Sequence, residues 1–81
     1  MISRLEAVVG AIVVEVGLDG TTATSPARRI GFVHESHTAP MLDVMELRDE
    51  HNQYAGIRYP DEVRLATDAE RAVWEEKARR G

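Results

Sequence analysis

Two histidines three residues apart, His34 and His37, flank Glu35 and Ser36. On a helix or a tight turn that spacing lets two imidazoles share a metal ion, with Glu35 or His51 as a third ligand. In an extended segment, however, positions 34 and 37 point to opposite faces. No HExxH spacing occurs, so a pair of solvated loop histidines is the favoured reading. The carboxylates Asp43, Glu46, Asp49 and Glu50 could in principle divide acid and base roles, but that requires a pocket that separates their pKa values. A solvated acidic rim is the simpler reading, and the alternating Asp/Asn pattern of a calcium loop is absent. Ser25 and Ser36 lack the Gly-x-Ser-x-Gly setting of an activated nucleophile. Residues 17–20 lack the lysine and third glycine of a phosphate-binding loop. The chain has no cysteine, which excludes a thiolate nucleophile, a disulfide framework and a cysteine zinc site. It therefore reads as a non-enzyme that carries no cofactor.

Binding is the remaining chemistry. Arg28 and Arg29 follow a small, polar loop and could meet a phosphate or an acidic partner, although paired surface arginines are common and individually weak. The balance of 10 Lys+Arg against 14 Asp+Glu gives −4. An acidic chain lacks the excess of basic residues that general nucleic-acid binding needs. Trp74 carries more weight, because tryptophan is enriched at binding hot spots. With Arg71 and Lys77 beside it, Trp74 would be an apolar anchor in a charged rim. On a helix lying against a small core it would instead complete that core, which the helical spacing slightly favours. Asp49 and Glu50 mark a second docking surface, where charge would steer association.

These residues need elements to hold them. At 81 residues the chain allows one small domain, 1–81. The capping-box spacing of Ser3 and Glu6 could open a helical turn. From about residue 7 to 16, a β-branched run apolar on both faces predicts a buried strand. Residues 17–26 predict a loop. Residues 29–34 resume an extended pattern, with Ile30 and Phe32 on one face and Gly31 and Val33 on the other. Residues 41–47 predict a strand with acidic positions, 49–52 a charged turn, 54–59 a short strand interrupted by Gly56, and 63–65 a last extended piece. Thr67 with Glu70 three residues on predicts an N-cap, and residues 67–80 a helix with Ala69, Ala72 and Val73 on one face and Trp74 and Ala78 beside it. The longest apolar run, 7–14, is far short of the ~20 residues that span a bilayer. It also makes a poor signal peptide, so a cytoplasmic protein is expected.

The order of these pieces is mainly β: four to five short strands, over 8–66, then a C-terminal helix. The run Val9-Gly10-Ala11-Ile12-Val13-Val14, the loop, then Arg29-Ile30-Gly31-Phe32-Val33, an acidic strand and Tyr59-Pro60-Asp61-Glu62-Val63-Arg64-Leu65 resemble the SH3-like small barrels of the KOW and Tudor type. The resemblance implies a small barrel in which a glycine relieves crowding where a strand bends. Such barrels usually bind through exposed aromatics. Here only Phe32, Tyr54 and Tyr59 are available for that, and a cage for a methylated side chain would need most of them exposed.

The first expectation is thus a protein-interaction module, such as a small bacterial or phage accessory protein that docks on a larger host protein. The alternatives are a KOW-like nucleic-acid or ribonucleoprotein contact through Arg28, Arg29, Arg58 and Arg64, and a metal-dependent function at His34 and His37. Homo-oligomerisation is compatible with all three, because a small barrel exposes edge strands.

Overall fold

A computed structural model of the chain describes residues 2, 6–34 and 44–80. Five strands and one helix account for most of them: β1 (Ile12–Glu15), β2 (Arg28–His34), β3 (Val44–Arg48), β4 (Tyr54–Arg58), β5 (Val63–Leu65) and α1 (Asp68–Arg80), with a 3-10 turn at Pro60–Glu62. The sheet order is β4-β3-β2-β1-β5, and every neighbouring pair is antiparallel. The first four strands form a meander, and the last returns to pair with the first. The chain is therefore mainly β with a C-terminal helix, as its residue pattern predicts. Ser3, Glu35, Ser36, His37, Asp43 and the start of the strand expected at 41–47 lie outside the described residues.

The core is aliphatic. Val13, Ile30, Met45, Leu47 and Val63 are fully buried, Ile2 and Ala7 nearly so, and Val33 and Ala55 pack against them. Burying each large aliphatic side chain stabilises by ~1.5–3 kcal/mol relative to exposure. No ladder joins β4 to β5 among the described residues. One contact bridges the open sheet instead, as Arg58 Nε of β4 donates to Glu15 Oε1 of β1; the Ile2 N–H donates to the Pro60 carbonyl at 3.0 Å and so seats Ile2 in the core.

The first strand is shorter than its apolar run predicts. Val8 and Val9 are exposed, and Ala11 N–H donates to the Val8 carbonyl, so the chain turns before Ile12. Within β1 the expectation of two apolar faces holds. Val13 enters the core, while Val14 is buried on the other face, where its partner Arg64 reaches the helix. Residues 17–26 are a loop, tied by Asp19, whose carboxylate accepts from Thr22 Oγ1 and from the N–H groups of Thr21 and Thr22. Those bonds, the Thr22 hydroxyl foremost, hold its pKa well below the usual carboxylate range.

A larger correction concerns β2. Ile30 pairs with Leu47, but Phe32 pairs with Glu46, so β2 carries one residue more than β3 between these pairs. This is a β-bulge at Gly31, and a bulge reverses which residues face the core beyond it. Ile30 and Val33 share the inner face, and Phe32 turns out to solvent. Plain alternation would have put Ile30 and Phe32 together. A second bulge occupies β4: Glu46 pairs with Ile57 and Arg48 with Tyr54, leaving an extra residue on β4. Gly56 there has φ +112°, a conformation that L side chains rarely adopt.

The helix starts as its sequence predicts. Thr67 N–H donates to Glu70 Oε1 at 2.8 Å, and Glu70 N–H donates to Thr67 Oγ1 at 3.2 Å, a complete capping box. Its apolar face is not the expected one. Ala69, Ala72 and Val73 are exposed, and the more buried positions are Glu70, Trp74 and Ala78, which recur at four-residue spacing. The reason lies at the start of the helix. Glu70 accepts two bonds from Arg64 of β5, at 2.7 and 3.0 Å, which rotates that stripe toward the sheet.

Arg64, and then the Thr67 N–H, pull the Glu70 pKa from 4.5 down to about 2. A carboxyl depressed by folding adds stability above its unfolded pKa and loses it as pH falls through its folded one. The helix should therefore lose support between about pH 4.5 and pH 2. Thermal midpoints taken down this range by circular dichroism should decline, and Glu70→Gln should flatten part of the decline. Asp19 and Asp49, both also depressed, contribute to the remainder. An identical acid slope in the variant would contradict this assignment.

Candidate functional site

Pairing across β2, β3 and β4 determines which side chains share the outer face of the sheet. Phe32 lies opposite Glu46, Glu46 opposite Ile57, and Arg48 opposite both Arg29 and Tyr54. Paired residues of an antiparallel ladder project to one side. Tyr59 continues the β4 alternation in extended backbone two residues beyond Ile57. The result is an apolar surface of Phe32, Tyr54, Ile57 and Tyr59, exposed by 54, 60, 52 and 49% respectively. An ion pair, Arg48 with Glu46, lies at its centre. His34 and Val44 extend it at one end. The four apolar side chains together expose on the order of 400 Å², within the ~300–600 Å² of the largest apolar patch on an ordinary monomer, which is often functional.

Both glycine bulges make this surface. Without the extra residue at Gly31, Phe32 would point inward. Without the one at Gly56, Tyr54 and Ile57 could not both point outward. The rings are spread out, however. Phe32 and the β4 tyrosines are separated by β3, so about 10 Å lies between them. That is too far to surround one ammonium group, for which rings must come within ~6 Å. The surface suits a flat partner better than a single caged side chain.

The residues that the sequence marks fall mostly elsewhere. Trp74, Lys77 and Glu50 line one groove of about 200 Å³, closed on its other side by residues 25–27. The helix face and the charged turn, expected as separate surfaces, thus meet. Trp74 is half-buried, with the Arg29 guanidinium 5.7 Å from its ring centroid. Its indole N–H is buried and finds no acceptor among the described residues. Trp74 therefore docks the helix on the sheet. Arg71 lies on the far side of the indole, exposed, and 3.6 Å from Asp68.

Asp49 has a structural task. Its Oδ1 accepts from the N–H groups of Gln53 and His51, each at 2.9 Å, which shapes the β3–β4 turn and lowers its pKa, the Gln53 bond contributing most. Glu50 stands 4.0 Å from Arg28 and 3.7 Å from His51.

No family model matches this chain, and no match was found among curated proteins or solved structures.

The basic residues of the nucleic-acid alternative are dispersed. Arg28 faces Glu50, Arg29 donates to Asn52 Oδ1 at 2.7 Å, Arg58 is held by Glu15, and Arg64 by Glu70. For the metal alternative, His51 cannot complete a site at His34. His34 pairs with the first residue of β3 and His51 follows its last, about 13 Å of strand away. His37 and Glu35 are outside the described residues, among which no three His, Asp or Glu side chains converge. No helix among those residues is long and apolar enough to cross a membrane.

Proposed function

We propose that the chain is a non-enzymatic protein-interaction module, an accessory domain that docks on a larger protein through the outer face of β2, β3 and β4. One observation carries the reading: Phe32, Tyr54, Ile57 and Tyr59 are all about half exposed on that single face. A domain of this size has few apolar side chains to spare, and holding four outside the core costs stability that a bound partner would restore. Aromatic side chains and arginine are also enriched at interface centres. The strand order and the glycine bulge in β2 support placing the domain with the small barrels of the KOW and Tudor type. The separate engagement of Arg28, Arg58 and Arg64 favours protein over nucleic acid as the partner.

The test is a double variant, Phe32→Ser with Ile57→Ser, which removes the two side chains flanking Glu46 without entering the core. Partners captured by the wild-type domain from the lysate of its source cell are compared with those captured by the variant. Truncating hot-spot aromatics and aliphatics typically weakens binding at least about ten-fold. A folded variant that captures the same proteins equally well would overturn the assignment of this face.

A further inference from the structure

Arg29 of β2 and Arg48 of β3 are direct cross-strand partners on the outer face. Like charges set opposite each other destabilise a sheet, and a local rule broken in this way tends to mark a functional position. The structure relieves the repulsion only in part. Arg48 pairs with Glu46, whereas Arg29 rests on a neutral amide, Asn52, and on the Trp74 ring. Two guanidiniums thus share one carboxylate, leaving an excess positive charge at this place in an otherwise acidic chain.

Both arginines line the same hollow, about 380 Å³ in volume, with Val9, Gly10, Gly31 and Asn52. Gly31 is part of the construction. A Cβ built there would come within 2.7 Å of Arg48 Cγ, so the absent side chain is what lets Arg48 lie down across the bulge. Tyr54 is the cross-strand partner of Arg48 on the side away from Arg29, and Phe32 follows Gly31 on the same face. A group entering it meets two guanidiniums, and whatever flanks that group meets aromatic rings.

We propose that this hollow receives a carboxylate side chain from an acidic segment of a partner protein, with apolar residues on either side of that Asp or Glu resting on Phe32, Tyr54 and Ile57. The inference rests on the docking face proposed above and adds the chemistry of what docks there. Arginine suits the role because its planar fork meets a carboxylate with two parallel bonds. A polynucleotide fits less well. Its phosphates repeat along the backbone and would have to pass Glu46 in the middle of the face, whereas a single carboxylate with apolar neighbours needs only the hollow.

The experiment is selection of a random-peptide phage library on the wild-type domain. Affinities of the enriched peptides are then measured by fluorescence polarisation on the wild type, Arg48→Gln, Arg29→Gln and Phe32→Ser, each checked for folding by circular dichroism. Arg48→Gln is the decisive variant, because it leaves the Arg29–Trp74 contact intact. The expected peptides carry Asp or Glu beside bulky apolar residues, lose on the order of ten-fold affinity on Arg48→Gln and weaken as salt rises. Peptides without acidic residues that bind Arg48→Gln normally and are lost on Phe32→Ser would overturn the carboxylate while keeping the face. Peptides indifferent to all three variants, or no enrichment at all, would overturn both. Binding of a short oligouridine that depends on Arg29 and Arg48 and outcompetes the peptides would reassign the hollow to phosphate.

Discussion

Ile30→Ala is expected to remove about 3 kcal/mol of stability, whereas Phe32→Ala, the larger truncation two residues along the same strand, should leave the thermal midpoint within a few degrees. Ile30 has no exposed surface and packs among Val13, Leu47 and Met45. Its truncation leaves a cavity in a core too small to collapse around it. A chain of this length has on the order of 4–12 kcal/mol in total, so a loss of that size moves the midpoint by more than about 10 °C. Phe32 is more than half exposed and opposes Glu46. Its removal takes little apolar surface out of the core. Denaturation of the two variants, followed by circular dichroism, checks the bulge directly. Equal losses would mean that β2 alternates without interruption and that Phe32 belongs inside.

That contrast also explains what could be read from the chain and what could not. The helix start was legible because Thr67 and Glu70 satisfy each other's backbone within four residues, and nothing distant is needed. The mainly β order was legible for the same reason, since β-branched runs and turn residues act locally. Which way Phe32 faces is a property of two strands in register. Gly31 marks a place where a strand can bend, but period-two alternation across it holds only for a regular strand. Gly56 carried the same signal on β4. A glycine inside each of the two strands that flank β3 is the clue to an outer aromatic surface. The scarcity of aromatics does not force them inside, because the core of the described residues is built from Val, Ile, Leu, Met and Ala. On the helix, spacing among Ala69, Ala72 and Val73 described a face, but the Arg64–Glu70 pair turned a different one toward the sheet.

That rotation makes Trp74 the residue on which the helix depends, and Trp74→Ala should release most of it from the sheet. No side chain of α1 is fully buried. Its attachments are the indole under Arg29, the Arg64–Glu70 pair and the first-turn cap. A helix of 13 residues is marginal in water without tertiary support. Removing the indole should cost about 2 kcal/mol, below the 3–5 kcal/mol of a fully buried tryptophan because part of the ring is already solvated. Ellipticity at the helical band should drop, while the amide signals of Ile30 and Leu47 stay in place in a nitrogen–proton correlation spectrum. Trp74→Phe separates packing from polarity. It keeps most of the ring and removes the buried N–H that has no acceptor among the described residues, a group that costs ~1–3 kcal/mol where it stays unpaired. The phenylalanine variant should therefore retain its helix and melt no earlier than the wild type. Unchanged helicity in Trp74→Ala would show that the cap and the Arg64–Glu70 pair suffice to hold α1. Trp74 would then be free to serve a partner, as its type and its neighbours Arg71 and Lys77 first suggest.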